Sequence, residues 1–198
     1  MKYIAHRGRH GKGVKENTKQ AIENVFESHV DGVEFDVRLT NDGRCVLLHD
    51  SKINGVHVSN NSYEELLERF SELTLLEEAL EILQNYGGLI NIEIKHLFFE
   101  KGYNKGIECV EKVKEILLKY ESTQRNIIIS SFSFRNIKSV REFIPNVDVA
   151  YLIPNPFAFI YWKKQFDQLD ANAIHMSAAQ AKSPFFKRVL NHAKQNDL

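Results

Sequence analysis

Several absences bound this 198-residue chain before any motif is read. It has no net charge: 26 basic residues are matched by 26 acidic ones. Nucleic-acid binders and binders of acidic membranes need a net basic footprint, so neither class fits and no nucleic-acid partner is expected. Cysteine is scarce. The two present, Cys45 and Cys109, are far apart in sequence and form no metal-type pair. Cys45 falls in an apolar strand pattern and Cys109 in a helical one, so both are expected to be buried thiols in a reducing compartment rather than a disulfide. No apolar run approaches the ~18 residues of a membrane span, and the first residues do not resemble a secretory leader. No stable membrane insertion and a cytoplasmic location are therefore expected. Linkers and low-complexity stretches are missing too, which makes 1–198 one domain on the economical reading.

What is present is an alternation of short apolar strands and amphipathic helices. Tyr3-Ile4-Ala5 suits a buried strand running into His6-Arg7-Gly8 and a glycine-rich basic loop. Asn17 reads as an N-cap with Gln20 in the capping-box position, and Ala21, Ile22, Val25 and Phe26 predict a helix over 18–29. A strand, the turn Asn41-Asp42-Gly43 and a second strand lead to His49-Asp50. A small hairpin or loop around Ile53, Val56 and Val58 is followed by helices over Ser62 to Phe70 and from Thr74, with Glu77 at N3, to a stop at Gly87-Gly88. Further strands are expected over 89–95, 127–132, 147–153 and 171–176, and further helices over 104–120, 133–143, 157–166 and 184–195. This order indicates a parallel α/β architecture. With seven strands read, a (β/α)8 barrel would need one more.

The chemistry concentrates on strand ends. Strand residues i and i+2 share a face, so Glu34 and Asp36 point one way and Phe35 and Val37 the other. Folded back as a simple hairpin, Asp36 would lie roughly opposite His49. In the strand over 89–95, Asn91, Glu93 and Lys95 alternate with Ile90, Ile92 and Ile94. A single inward carboxylate would read as a solvated charge or a salt bridge to Arg38 or Lys95. Three on buried strands are costly unless paired or bound to a cation, and hard oxygen ligands suit Mg²⁺ or Ca²⁺. His6 and His49 could act as an acid/base pair, although either alone would more often be structural. Arg7 and Lys95 offer positive charge that suits a phosphate. The link between the two strands of the turn is either a local antiparallel pair or an extended excursion, and both remain open at this point.

His6-Arg7-Gly8, Glu16-Asn17-Thr18, Glu34-x-Asp36, Asp42-Gly43 before His49-Asp50, Glu93-x-Lys95 and, more weakly, Ser131-Phe132 occur in an order and spacing that resemble the glycerophosphodiester phosphodiesterases. The resemblance covers about the first 135 residues. It implies a TIM-type barrel, a divalent cation (Mg²⁺ or Ca²⁺) held by Glu34, Asp36 and Glu93, His6 and His49 as general acid and base, and phosphate binding by Arg7 and Lys95. The implied reaction is hydrolysis of a small-molecule glycerophosphodiester to an alcohol and glycerol 3-phosphate.

Three departures accompany it. Lys15 stands where the family has proline, the segment after His49-Asp50 is shorter and lacks an arginine, and a last strand with a Trp-Thr-Val-Asn-like motif is missing. The expected fold is therefore a barrel lacking its eighth strand, C-terminally truncated. Completion by a second chain, as in a homo-oligomer, stays open. The alternatives are a non-catalytic remnant or binding module of the same fold and a phospholipase-D-like enzyme acting on intact lipid. His175 reads as structural or at the mouth of the site, and Tyr151, Phe157, Phe159, Tyr161 and Trp162 as core packing for about half of the cluster.

Overall fold

A computed structural model describes residues 2–96, 105–120, 126–153 and 171–176, together with residues 182, 186, 187 and 191. In chain order the elements are β1 (Ile4–Ala5), α1 (Lys19–Glu23), β2 (Gly32–Leu39), β3 (Cys45–Leu47), β4 (Lys52–Ile53), β5 (Val56–His57), α2 (Tyr63–Leu67), α3 (Leu76–Ile82), β6 (Leu89–Ile94), α4 (Lys105–Leu117), β7 (Ile127–Ser131), α5 (Phe134–Phe143), β8 (Asp148–Leu152) and β9 (Ala173–His175). The helices expected over 157–166 and, but for isolated residues, 184–195 lie outside the described residues. No described helix is long and apolar enough to cross a membrane.

Six strands form a parallel sheet in the order β1-β2-β6-β7-β8-β9, and β3 joins it antiparallel to β2. The seven strands of the main sheet match the sequence reading, but β3 is not a stave of the parallel sheet. That settles the link at Asn41–Gly43 as a local antiparallel pair. Strand alternation decides which face is the core. Val33, Phe35 and Val37 of β2 and Ile90, Ile92 and Ile94 of β6 are fully buried on the outer face, under Ile22, Leu76, Leu80, Val110, Val113, Ile137 and Val140 of the helices. Each such side chain contributes roughly 1.5–3 kcal/mol relative to exposure. The opposite face of the same strands carries Glu34, Asp36, Asn91 and Glu93.

One edge of β2 is taken by β6; the other is shared end to end by β1 and β3. β1 pairs with Gly32 and Val33, after which the Gly8 N–H donates to the Glu34 carbonyl at 3.0 Å. β3 pairs with Val37, Arg38 and Leu39 from the opposite direction, and the Leu48 N–H donates to the Asp36 carbonyl at 3.0 Å. Two strands thus run toward each other and stop on either side of Phe35. The turn at Gly8 is tight: its φ is +76°, and a Cβ there would lie 2.8 Å from the Ala21 backbone.

Three local expectations are corrected. The register places Asp36 opposite Leu48 rather than His49, because the Val37–Leu47 pairing leaves a three-residue loop, Asn41–Gly43, with Gly43 at φ +79°. A two-residue Asp-Gly turn would have paired residue 41 with 44 and Asp36 with His49; one extra loop residue moves every partner by one. The N-cap of α1 is Thr18, whose hydroxyl accepts from the Ala21 N–H at 3.3 Å, and not Asn17; regular helix ends at Glu23. α3 starts one residue later than expected, with the Leu75 N–H donating to the Glu78 carboxylate at 2.9 Å, while Thr74 accepts from the Lys19 N–H at 2.9 Å.

The two cysteines, distant in sequence, meet in the core. Both are free and buried, one on β3 and one on α4. The Cys45 thiol lies within hydrogen-bond reach of Cys109, which holds its pKa above the usual thiol range, with burial acting in the same direction.

Candidate active site

The site forms on the inner face of the sheet, where β2 and β6 run side by side with Asp36 level with Glu93. Glu34, Asp36 and Glu93 are buried, and each offers a carboxylate oxygen such that the three atoms lie within 4.8 Å of one another. Like charges this close are unfavourable without compensation. Burial, and then the charge of Asp36, push the Glu34 carboxyl up to about 8, against a hydrogen bond from the Arg7 peptide N–H. Glu93 is also raised, chiefly by burial, with Lys95 acting the other way.

Two cations compensate in part. The Lys95 ammonium lies 2.7 Å from Glu93 Oε1 and 3.4 Å from Asp36 Oδ1. Its charge also sits 5.6 Å from the centre of the Phe132 ring. Arg7 approaches from the other side: its N–H donates to Glu34 Oε2 at 2.8 Å, its Nε is 3.3 Å from Asp36 Oδ2, and its Nη1 donates to Glu16 Oε1 at 2.8 Å. The two cations do not saturate the cluster: Glu34 Oε1 and Asp36 Oδ1 are buried without accepting a hydrogen bond. These orphaned hard oxygens fit a divalent cation of the Mg²⁺ or Ca²⁺ kind, whose ligands are carboxylate and water oxygens.

Two imidazoles flank the cluster. His6 Nε2 is 3.8 Å from Glu34 Oε2, with a side chain 65% exposed. Partial burial and the neighbouring Arg7 hold its pKa below the usual imidazole value. His49 is 36% exposed, and its Nδ1 lies 2.8 Å from Asp50 Oδ1, so Asp50 engages Nδ1 and not Nε2. The side chain of Arg38 donates from Nε and Nη2 to the His49 carbonyl at 2.9 and 2.7 Å. The candidate site residues His6, Arg7, Glu34, Asp36, Glu93 and Lys95 thus sit at one locus, and His49 is close enough for its charge to act on Glu93. His175 is there as well: with Ile4, His6, Leu89, Asn91 and Leu152 it lines a cavity of about 310 Å³ that reaches Glu34 and Glu93. A larger cavity, about 430 Å³, lies between α1 and α2 and includes none of these residues.

Three further residues were not assigned from sequence. Glu16 orients the Arg7 guanidinium, Arg38 holds the backbone at His49, and Asn17 reaches Asp36. Arg7 and Asn17 both adopt left-handed backbone, at φ +57° and +56°, and the Asn17 N–H donates to the Arg7 carbonyl at 3.0 Å. Non-glycine residues in that region are strained by roughly 1–3 kcal/mol each, less for asparagine. The signal is the Glu16-Asn17-Thr18 motif after the glycine-rich loop, in which the asparagine taken alone reads as a cap.

Comparison with known proteins gives a consistent picture. The sequence matches the glycerophosphoryl diester phosphodiesterase family over residues 6–196. It is 36% identical over 168 residues to a glycerophosphodiester phosphodiesterase of Bacillus altitudinis, an alignment covering 76% of this chain and 66% of that protein. It is 33% identical over 165 residues to one from Caldanaerobacter subterraneus subsp. tengcongensis, covering 75% of this chain and 65% of that protein. The chain thus spans about two thirds of the length of these relatives. Among solved structures, it superposes with a TM-score of 0.79 and 22% identity on an Oleispira antarctica phosphodiesterase in complex with the product sn-glycerol-3-phosphate, covering 99% of this chain and 81% of that one. A Thermotoga maritima glycerophosphodiester phosphodiesterase gives a TM-score of 0.74 at 25% identity, covering 99% and 82%. The parallel βα sheet described above is accordingly that of a TIM-type barrel fold.

Proposed function

The chain belongs to the glycerophosphoryl diester phosphodiesterase family, and on that premise we propose that it hydrolyses glycerophosphodiesters to an alcohol and glycerol 3-phosphate by histidine acid/base catalysis with a divalent cation. The observation that carries this reading is the grouping of Glu34, Asp36 and Glu93, with orphaned buried oxygens, between Arg7 and Lys95 and beside two imidazoles. Residues 1–198 are read as one domain.

Glu34, Asp36 and Glu93 would hold the cation, which when bound would supply Lewis-acid polarisation of the phosphoryl group. Arg7 and Lys95 bind the remaining phosphate charge, and Glu16 keeps the guanidinium of Arg7 at a fixed angle. One of His6 and His49 takes the proton from the attacking oxygen, either the neighbouring glycerol hydroxyl or water. The other gives a proton to the oxygen of the leaving alcohol. Asp50 fixes the tautomer of His49 for either duty.

Glycerophosphocholine and glycerophosphoethanolamine, incubated with the purified chain in Mg²⁺ or Ca²⁺ and in chelator, test the proposal. Release of glycerol 3-phosphate or a cyclic glycerol phosphate precursor, abolished by chelator, is the expected result. A folded chain that cleaves neither substrate in either cation refutes it.

A further inference from the structure

Asn17 is buried, left-handed in backbone and outside any helix, and its side chain is spent on one partner. Its Nδ2 donates to Asp36 Oδ2 at 2.9 Å, and its Oδ1 accepts the Asp36 N–H at 3.2 Å. Arg7 Nε lies 3.3 Å from the same Asp36 Oδ2. The other oxygen, Oδ1, accepts no hydrogen bond and lies on the side of Lys95, whose ammonium is 3.4 Å from it and 2.7 Å from Glu93 Oε1. One carboxylate oxygen is therefore tied back to the β1–α1 loop, and the other is left toward the acidic cluster.

We propose that Asn17 is a positioning residue that locks the Asp36 carboxylate with Oδ1 presented to Glu34 and Glu93, and so sets the chain's affinity for a divalent cation. The proposal rests on the reading of those carboxylates as cation ligands. An asparagine amide serves because it both donates and accepts without charge, and because asparagine tolerates left-handed backbone better than most residues. Aspartate would set a fourth negative charge against Asp36. Glycine would keep the backbone and lose both bonds. Partners of this kind, one step removed from a metal, change cation affinity by about 10- to 100-fold when removed.

The experiment is calorimetric titration of the full chain with Mg²⁺ and with Ca²⁺, in wild type, N17G, N17D, E93Q and T18A. T18A breaks the cap of α1 one residue away and touches no carboxylate of the site. The expected result is cation binding weakened about 10- to 100-fold in N17G and N17D, lost in E93Q and unchanged in T18A. At saturating cation, N17G should recover most of its kcat with an unaltered KM for glycerophosphocholine, as a defect in positioning a ligand requires. Should N17G fail to fold, the near-isosteric N17D carries the same prediction. Wild-type cation affinity in N17G or N17D overturns the role of Asn17 alone when E93Q has lost binding. Indistinguishable titrations for wild type and E93Q overturn the cation reading and this inference together.

Discussion

The guanidinium of Arg38 grips the backbone carbonyl of His49 with two hydrogen bonds, 2.9 Å from Nε and 2.7 Å from Nη2. The strand that supplies Glu34 and Asp36 therefore also anchors the segment that carries the second imidazole, although His49 itself has left the β3 ladder.

R38M should disturb both folding and turnover. Charge-assisted hydrogen bonds contribute about 1.5–3 kcal/mol, and methionine fills the space without donating. A loss of about 2–3 kcal/mol of unfolding free energy in urea is expected, with kcat falling more than KM changes. Stability and kcat both at wild-type level would show that the grip on His49 is idle.

His6 and His49 should be dispensable for folding and indispensable for turnover. Both are substantially exposed, so H6A and H49A should keep the wild-type melting temperature within a few degrees. Loss of a general acid or base lowers turnover by about 10²- to 10⁴-fold. Steady-state kinetics on glycerophosphocholine at saturating cation checks this, and full activity in either variant removes that histidine from the mechanism.

The acidic cluster makes cation-free stability depend on pH. Glu34 is raised to about 8 in the folded chain from an ordinary value of 4.5. Between those values the folded state holds a proton that the unfolded state has released, so stability falls as pH rises through this window and levels off above it. Melting curves in chelator should decline from pH 5 to pH 8. E34Q should flatten that decline and melt higher than wild type at pH 8, while losing cation binding. A wild-type profile with no slope over this range contradicts the assignment.

Cys45 and Cys109 touch in the core without being joined. A thiol-reactive maleimide should leave both unlabelled in the native chain and label both in denaturing urea. Fast native labelling of either would mean that the contact between β3 and α4 opens readily.

Much of this was legible in the sequence for a physical reason. The two-residue period of strands sorts Glu34, Asp36, Glu93 and Lys95 onto one face whatever the neighbours are, and β2 and β6 keep that sorting in parallel register. What periodicity does not carry is loop geometry. The three-residue loop at Asn41–Gly43 shifted the partner of Asp36 from His49 to Leu48. The same limit explains Asn17. Before a helix, asparagine is the ordinary cap, and only the path of the β1–α1 loop turns its amide toward Asp36 and leaves the capping to Thr18. The meeting of Cys45 with Cys109 follows from α4 packing across β3, a long-range contact that no local pattern announces.

The head-to-head arrangement of β1 and β3 makes β2 a ruler. The turn after His6 is set on the Glu34 carbonyl and the residue before His49 on the Asp36 carbonyl, two residues apart on one strand. The spacing of the two histidines is thus graduated in strand residues, and the loops between them contribute nothing to it. Insertions at Asn41–Gly43 that keep the Val37–Leu47 register, or in the β4–β5 hairpin, can lengthen the chain without retuning the site. Deletion of Phe35 would move the two histidines together and turn one of the two flanking carboxylates toward the core. Length variation, natural or engineered, belongs in the loops; β2 has no slack.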